Sequence, residues 1–134
     1  MTMTKITEDY VSFETAKLLK EKGFDESCDY YYDQSSDEPQ QLTLDEMNYS
    51  YDKFLKAPTL QMAMKWLRIK HSIHIESFCP VVDTTDEPVK YNVVISDLRN
   101  YCLAFNTPLE DKEFDSYEKA CEAAIKYCLE NLVY

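Results

Sequence analysis

A chain of 134 residues with 45% hydrophobic content holds enough apolar side chain for one core and one domain. Its net charge of −11, from 14 Lys and Arg against 25 Asp and Glu, sets it against DNA, RNA and anionic membranes, whose binding rests on basic contacts to phosphate. One Gly and five Pro exclude a linker-like chain, and no apolar run nears the ~20 residues that span a bilayer.

The charge is uneven: residues 1–57 hold 6 basic and 13 acidic side chains, and 58–134 hold 8 and 12. Eleven tyrosines suit half-buried strands and contact surfaces, where the ring is apolar and the hydroxyl stays wet. The five cysteines, Cys28, Cys79, Cys102, Cys121 and Cys128, are odd in number and form no C-x-x-C pair. With no apolar segment near Met1, they are expected to be reduced, mostly buried thiols of a cytoplasmic protein.

In chain order, residues 1–11 read as a loose polar leader. Ser12 opens a helix over 13–22 that carries Phe13, Ala16, Leu18 and Leu19. Gly23 stops it by permitting the left-handed conformation, which lets Phe24 pack on Leu19. Cys28-Asp29-Tyr30-Tyr31-Tyr32 is strand-like by its aromatics, and Ser35-Ser36-Asp37-Glu38-Pro39 reads as a turn. Residues 42–51 return as a second strand, giving an acidic, Tyr-rich hairpin.

The densest apolar stretch is Ala57-Pro58-Thr59-Leu60-Gln61-Met62-Ala63-Met64-Lys65-Trp66-Leu67-Arg68-Ile69-Lys70-His71. It reads as a helix with Pro58 in its first turn. Leu60, Ala63, Met64 and Leu67 form one apolar face, and Met62, Trp66 and Ile69 a second. Gln61, Lys65 and Arg68 remain as a polar stripe, so most of this helix should be buried, with Trp66 in the core. The competing use of Trp66 and the two Met is a groove for a partner.

Beyond it, Ile73, Ile75 and Ser77 alternate with His74, Glu76 and Phe78; 80–88 is a loop; Tyr91, Val93 and Ile95 alternate with Asn92, Val94 and Ser96. Asp97-Leu98-Arg99-Asn100 turns the chain, and Tyr101, Leu103 and Phe105 then alternate with Cys102, Ala104 and Asn106. A last helix is capped by Asp115, with Glu118 completing a capping box. Its inner face carries Tyr117, Ala120, Cys121, Ala124, Ile125, Cys128 and Leu132. The expected fold is α+β, one domain over 1–134. Residues 57–134 form a helix-strand-strand-strand-helix core, a three-stranded antiparallel sheet packed by two helices. Residues 12–56 add the N-terminal helix and acidic hairpin.

That order over 58–132 resembles the double-stranded-RNA-binding domain, and Ser116-Tyr117-Glu118-Lys119-Ala120-Cys121-Glu122-Ala123-Ala124 is similar to its final helix. The resemblance is one of topology. Such domains meet phosphates with lysines at that helix N-terminus, and here the turn is Glu110-Asp111-Lys112-Glu113-Phe114-Asp115, so nucleic-acid binding is not expected. At full length, the 12–24 segment, Ala57-Pro58-Thr59-Leu60-Gln61-Met62-Ala63-Met64-Lys65-Trp66-Leu67 and the 117–132 helix resemble small uncharacterised proteins of gut Bacteroidetes and their phages. The resemblance implies a mobile-element setting and assigns no site residues.

No P-loop, dinucleotide fingerprint or nucleophile elbow is present, and no catalytic residue, metal or cofactor is assigned. His71 and His74 straddle a helix-to-strand junction; they read as a helix-end cation and an ordinary strand residue. The leading expectation is a small non-enzymatic interaction protein, an accessory factor of a phage or mobile element. It would meet a basic protein partner through Asp29, Tyr30, Tyr31, Tyr32, Asp33, Asp37 and Glu38, exposed on one face. The alternative is a protein that sequesters a small molecule on Lys65, Arg68, Lys70 and His74. An enzyme of unspecified type ranks third.

Overall fold

Local capping chemistry sets the first helix. In the computed structural model, which describes residues 5–33, 40–41, 54–80, 89–100, 109 and 111–133, α1 spans Phe13–Glu21. Ser12 is its N-cap, and its hydroxyl oxygen accepts the Thr15 N–H at 3.2 Å. At the other end Gly23 has φ 91°, its N–H donates to Lys20 O, and the Phe24 N–H donates to Leu19 O at 2.9 Å. These two reversed bonds turn the chain so that Phe24 enters the core, as expected of a glycine stop.

The expected loose leader holds for the exposed residues 5–8, but residues 9–11 are tied into the fold. Val11 is fully buried, and Tyr10 forms an antiparallel bridge with Thr59. The Val11 N–H donates to Pro58 O at 3.1 Å, and the Leu60 N–H donates to Asp9 O at 2.9 Å. That second bond satisfies a helix-start donor that has no partner within its own helix.

Strand β1 (Tyr30–Asp33) lies between β2 (Gln40–Gln41) and β3 (Phe54–Lys56) in an antiparallel sheet of order β2-β1-β3. Tyr31 pairs with both Gln40 and Lys56. The first strand of the expected hairpin is present; Gln40–Gln41, ahead of the expected return, pair with it, and the return expected at 42–51 lies outside the described residues.

Helix α2 spans Leu60–His71 and is capped by Thr59, whose Oγ1 accepts the Met62 N–H at 3.1 Å. Pro58 therefore precedes the cap instead of occupying the first turn. Leu60, Ala63, Met64, Trp66 and Leu67 are buried, but Met62 is 39% and Ile69 62% exposed. The second apolar face is buried at Trp66 and not along its length. Trp66 is in the core as expected, with Phe24 edge-on at 5.4 Å.

α2 ends at Ser72, in the left-handed region with φ 54°. Strand β4 (Ile73–Phe78) follows and pairs antiparallel with β5 (Asn92–Asp97), from Ile73 opposite Asp97 to Phe78 opposite Asn92. Ile73, Ile75, Val93 and Ile95 face the core, matching the alternation in the sequence. Leu98–Asn100 form the turn as one 3₁₀ segment. The third strand expected at 101–106 lies outside the described residues, so the sheet described here has two strands.

The last helix, α3, spans Tyr117–Asn131 and is capped by Ser116, not Asp115. Tyr91 and Phe114 exchange two 2.8 Å backbone bonds, and two residues later the Ser116 hydroxyl accepts the Lys119 N–H at 3.0 Å. Asp115 pairs with Lys90 and, at 3.8 Å, with Lys119. Helices α2 and α3 pack on β4, α3 also covers β5, and α1 lies against α3 and β3 around one core.

Candidate functional site

Three segments that are distant in sequence meet in one cleft of about 110 Å³. Tyr10 comes from the first, Ser27, Cys28, Asp29 and Tyr30 from the second, and Ala57, Pro58, Thr59 and Met62 from the third. Backbone pairing sets the geometry: Tyr10 bridges Thr59, and the Ala57 N–H donates to Tyr30 O at 3.0 Å. The Tyr10 and Tyr30 rings then lie with centroids 4.5 Å apart and planes tilted by 43°.

The electrostatics there are one-sided. Burial holds the Tyr10 phenol pKa above its ordinary value; a hydrogen bond with Tyr30, repulsion from Tyr30 once that phenol ionises, and the negative charges of Glu8 and Asp29 add to the rise. Burial pushes the Cys28 thiol up to about 11, against a smaller opposing effect of Lys56, and its Sγ–H points to Glu26 O at 3.6 Å. A thiol held that high stays protonated at neutral pH and is a poor nucleophile. Lys56 itself is paired with Asp25 at 3.3 Å.

Of the acidic, tyrosine-rich set expected to face a partner, the cleft brings together Asp29 and Tyr30. Tyr31 and Tyr32 are only 2% and 4% exposed, which corrects the expectation of one exposed tyrosine face. The reason is the position of β1: both of its edges are paired and both faces are covered. The Tyr32 hydroxyl donates to Val11 O at 2.7 Å, with Phe13 edge-on at 5.5 Å. Tyr31 turns the opposite way, edge-on to Phe54 at 4.6 Å. Asp33 ends the strand half-exposed, and Asp37 and Glu38 lie outside the described residues. Sequence reasoning missed Tyr10; an aromatic in an otherwise polar leader was its only signal.

The alternative set does not converge on this cleft. Lys65, Arg68 and Lys70 are exposed along α2 and His74 is exposed on β4, and none of the four lines it. His71 is not a free helix-end cation. It packs on Trp66 with ring centroids 4.7 Å apart, and burial, then the charge of Arg99, lower its pKa. Among the described residues, no group of three or more His, Cys, Asp or Glu side chains is placed to hold a metal ion. Cys28, Cys79, Cys121 and Cys128 are free thiols, with Cys79 exposed.

Fold and cleft together define a small α+β protein with an acidic, tyrosine-lined recess beside the start of a helix. Among the described residues, no helix is long and apolar enough to cross a membrane. Compared with protein-family models, curated proteins and solved structures, the chain finds no match.

Proposed function

We propose that this chain is a small non-enzymatic interaction protein that binds a basic protein partner, with the Tyr10–Tyr30 cleft as the centre of its contact surface. The observation that carries this reading is the pairing of two tyrosine rings with Asp29 in a cleft where Glu8 and Asp29 add negative charge. Tyrosine is favoured at contact surfaces because its ring buries apolar area while its hydroxyl keeps a polar partner. At about 110 Å³ the cleft is well below the ~300–1,000 Å³ of pockets that enclose a drug-sized molecule, which favours a partner's side chain over a free metabolite. Its proposed setting, a cytoplasmic accessory factor of a phage or mobile element, rests on the full-length resemblance noted above.

The test is capture of a partner on the immobilised full chain from a cell lysate at about 0.1 M and about 1 M salt, with the screening length falling from ~10 to ~3 Å. A basic protein retained at low salt, released at high salt and lost when Asp29, Asp33, Asp37 and Glu38 are neutralised supports the reading. A partner that survives both treatments is held by apolar contact elsewhere and overturns it.

A further inference from the structure

We infer that the cleft receives one arginine side chain of the partner, its guanidinium stacked on the Tyr10–Tyr30 ring pair and forked onto the Asp29 carboxylate. This rests on the proposed reading and gives it a single anchoring contact. Aromatic faces attract a cation through their quadrupole, and a guanidinium alone combines a flat face for stacking with paired N–H donors for a carboxylate. The cleft supplies both partners, Tyr10 and Tyr30 as faces and Asp29 as acceptor. Ala57, Pro58 and Met62 give an apolar wall for the arginine methylenes.

An anion is the competing occupant, because Thr59 caps α2 and the positive end of that helix borders the cleft. Two observations decide against it. The helix end amounts to roughly half a positive charge, whereas Asp29 and Glu8 carry a full negative charge each and both act on Tyr10. Two of the three first-turn N–H groups an anion would use are also engaged: Leu60 N–H by Asp9 O and Met62 N–H by Thr59 Oγ1. Among the described residues, Lys56, a cation acting on Cys28, is paired with Asp25 at 3.3 Å and leaves Asp29 to the partner.

The experiment titrates the full chain with end-capped hexa-arginine, hexa-lysine and hexa-glutamine peptides at low salt. Affinity is read by fluorescence anisotropy, and the Tyr10 and Tyr30 ring signals by NMR. Hexa-arginine should bind most tightly and move both ring signals. Asp29→Asn should weaken it about fivefold and Tyr10→Leu about tenfold, while Tyr10→Phe, which keeps the ring, should stay within about twofold. Unchanged unfolding midpoints show that these variants still fold. If hexa-arginine binds while both rings stay still and Asp29→Asn has no effect, the cleft is not the arginine site, although the basic-partner reading stands. If hexa-lysine binds equally well in the cleft, the choice of arginine is wrong. If neither cationic peptide binds more tightly than hexa-glutamine, both the inference and the reading beneath it fall.

Discussion

Replacing Glu122 by Ala removes an acceptor that α1 takes from a helix more than 100 positions away in the chain. Glu122 Oε1 receives the Ser12 N–H at 3.1 Å and the Thr15 hydroxyl at 2.6 Å, and the Ser12 hydroxyl lies 3.1 Å from Thr15 Oγ1. In a capping box the third helical residue, here Thr15, reaches back to the N-cap N–H. A threonine is too short for that, and Glu122 of α3 supplies the carboxylate instead. Hydrogen bonds to a charged group are worth about 1.5–3 kcal/mol each. These two share one oxygen of a half-buried side chain, so Glu122→Ala should cost about 2–3 kcal/mol in all. Glu122→Gln keeps an acceptor without the charge and should cost about 1 kcal/mol. At about 4 °C per kcal/mol for a domain this size, the Ala variant melts about 8–12 °C lower. Urea unfolding of Glu122→Ala, Thr15→Val and the double variant should give a coupling of about 1 kcal/mol. Single-variant costs below about 0.5 kcal/mol, or additivity within about 0.3 kcal/mol, would refute a cap supplied by α3.

Trp66→Ala should cost about 3–5 kcal/mol by chemical denaturation, because it empties the site that Phe24 and His71 pack against; a melting shift of only a degree or so would mean Trp66 is not a core residue. Two positive-φ positions should respond in opposite directions. Ser72→Gly relieves a left-handed serine and should stabilise by about 0.5–1 kcal/mol, whereas Gly23→Ala meets no atom within 4 Å and should destabilise by about 1 kcal/mol through backbone strain alone. Asp97 takes both guanidinium contacts of Arg99, at 2.8 and 2.7 Å, and this pairing holds its carboxyl below the ordinary 3.8. Its contribution to stability is therefore fully present above about pH 4 and is lost as pH falls through the lowered folded-state value; unfolding of Asp97→Asn should vary less with pH below 4 than that of the wild type. Among the described cysteines, alkylation at pH 8, read by peptide mass, should modify exposed Cys79 first, Cys28 slowly because its thiol is pushed up to about 11, and Cys128 only on unfolding, with its thiol buried and pushed up to about 12. Early labelling of Cys128 would mean that α3 opens in the native state.

The features readable from the chain were those whose causes lie within a few residues of it. Ser12 and Gly23 bound α1 because caps act over three or four positions. The inner face of α3 and the alternation of β4 and β5 follow from side-chain period, and the period survives because each element buries one side. Tertiary pairing decided the rest. Three consecutive tyrosines carry no alternation, so nothing local says that Tyr31 and Tyr32 are buried on opposite faces; strand β3, more than twenty residues on, does that. The apolar pattern of α2 matched two faces, but on the second Trp66 is buried while Met62, at the cleft, is partly and Ile69 largely exposed. The Tyr91–Phe114 pairing sets where α3 begins, and the cap falls to Ser116 although Asp115 is an equally good capping residue by type. The cleft is the extreme case. Tyr10, Asp29, Tyr30 and Met62 share no spacing rule, and they meet because unpaired backbone groups at 9–11 and 57–60 found partners across the fold.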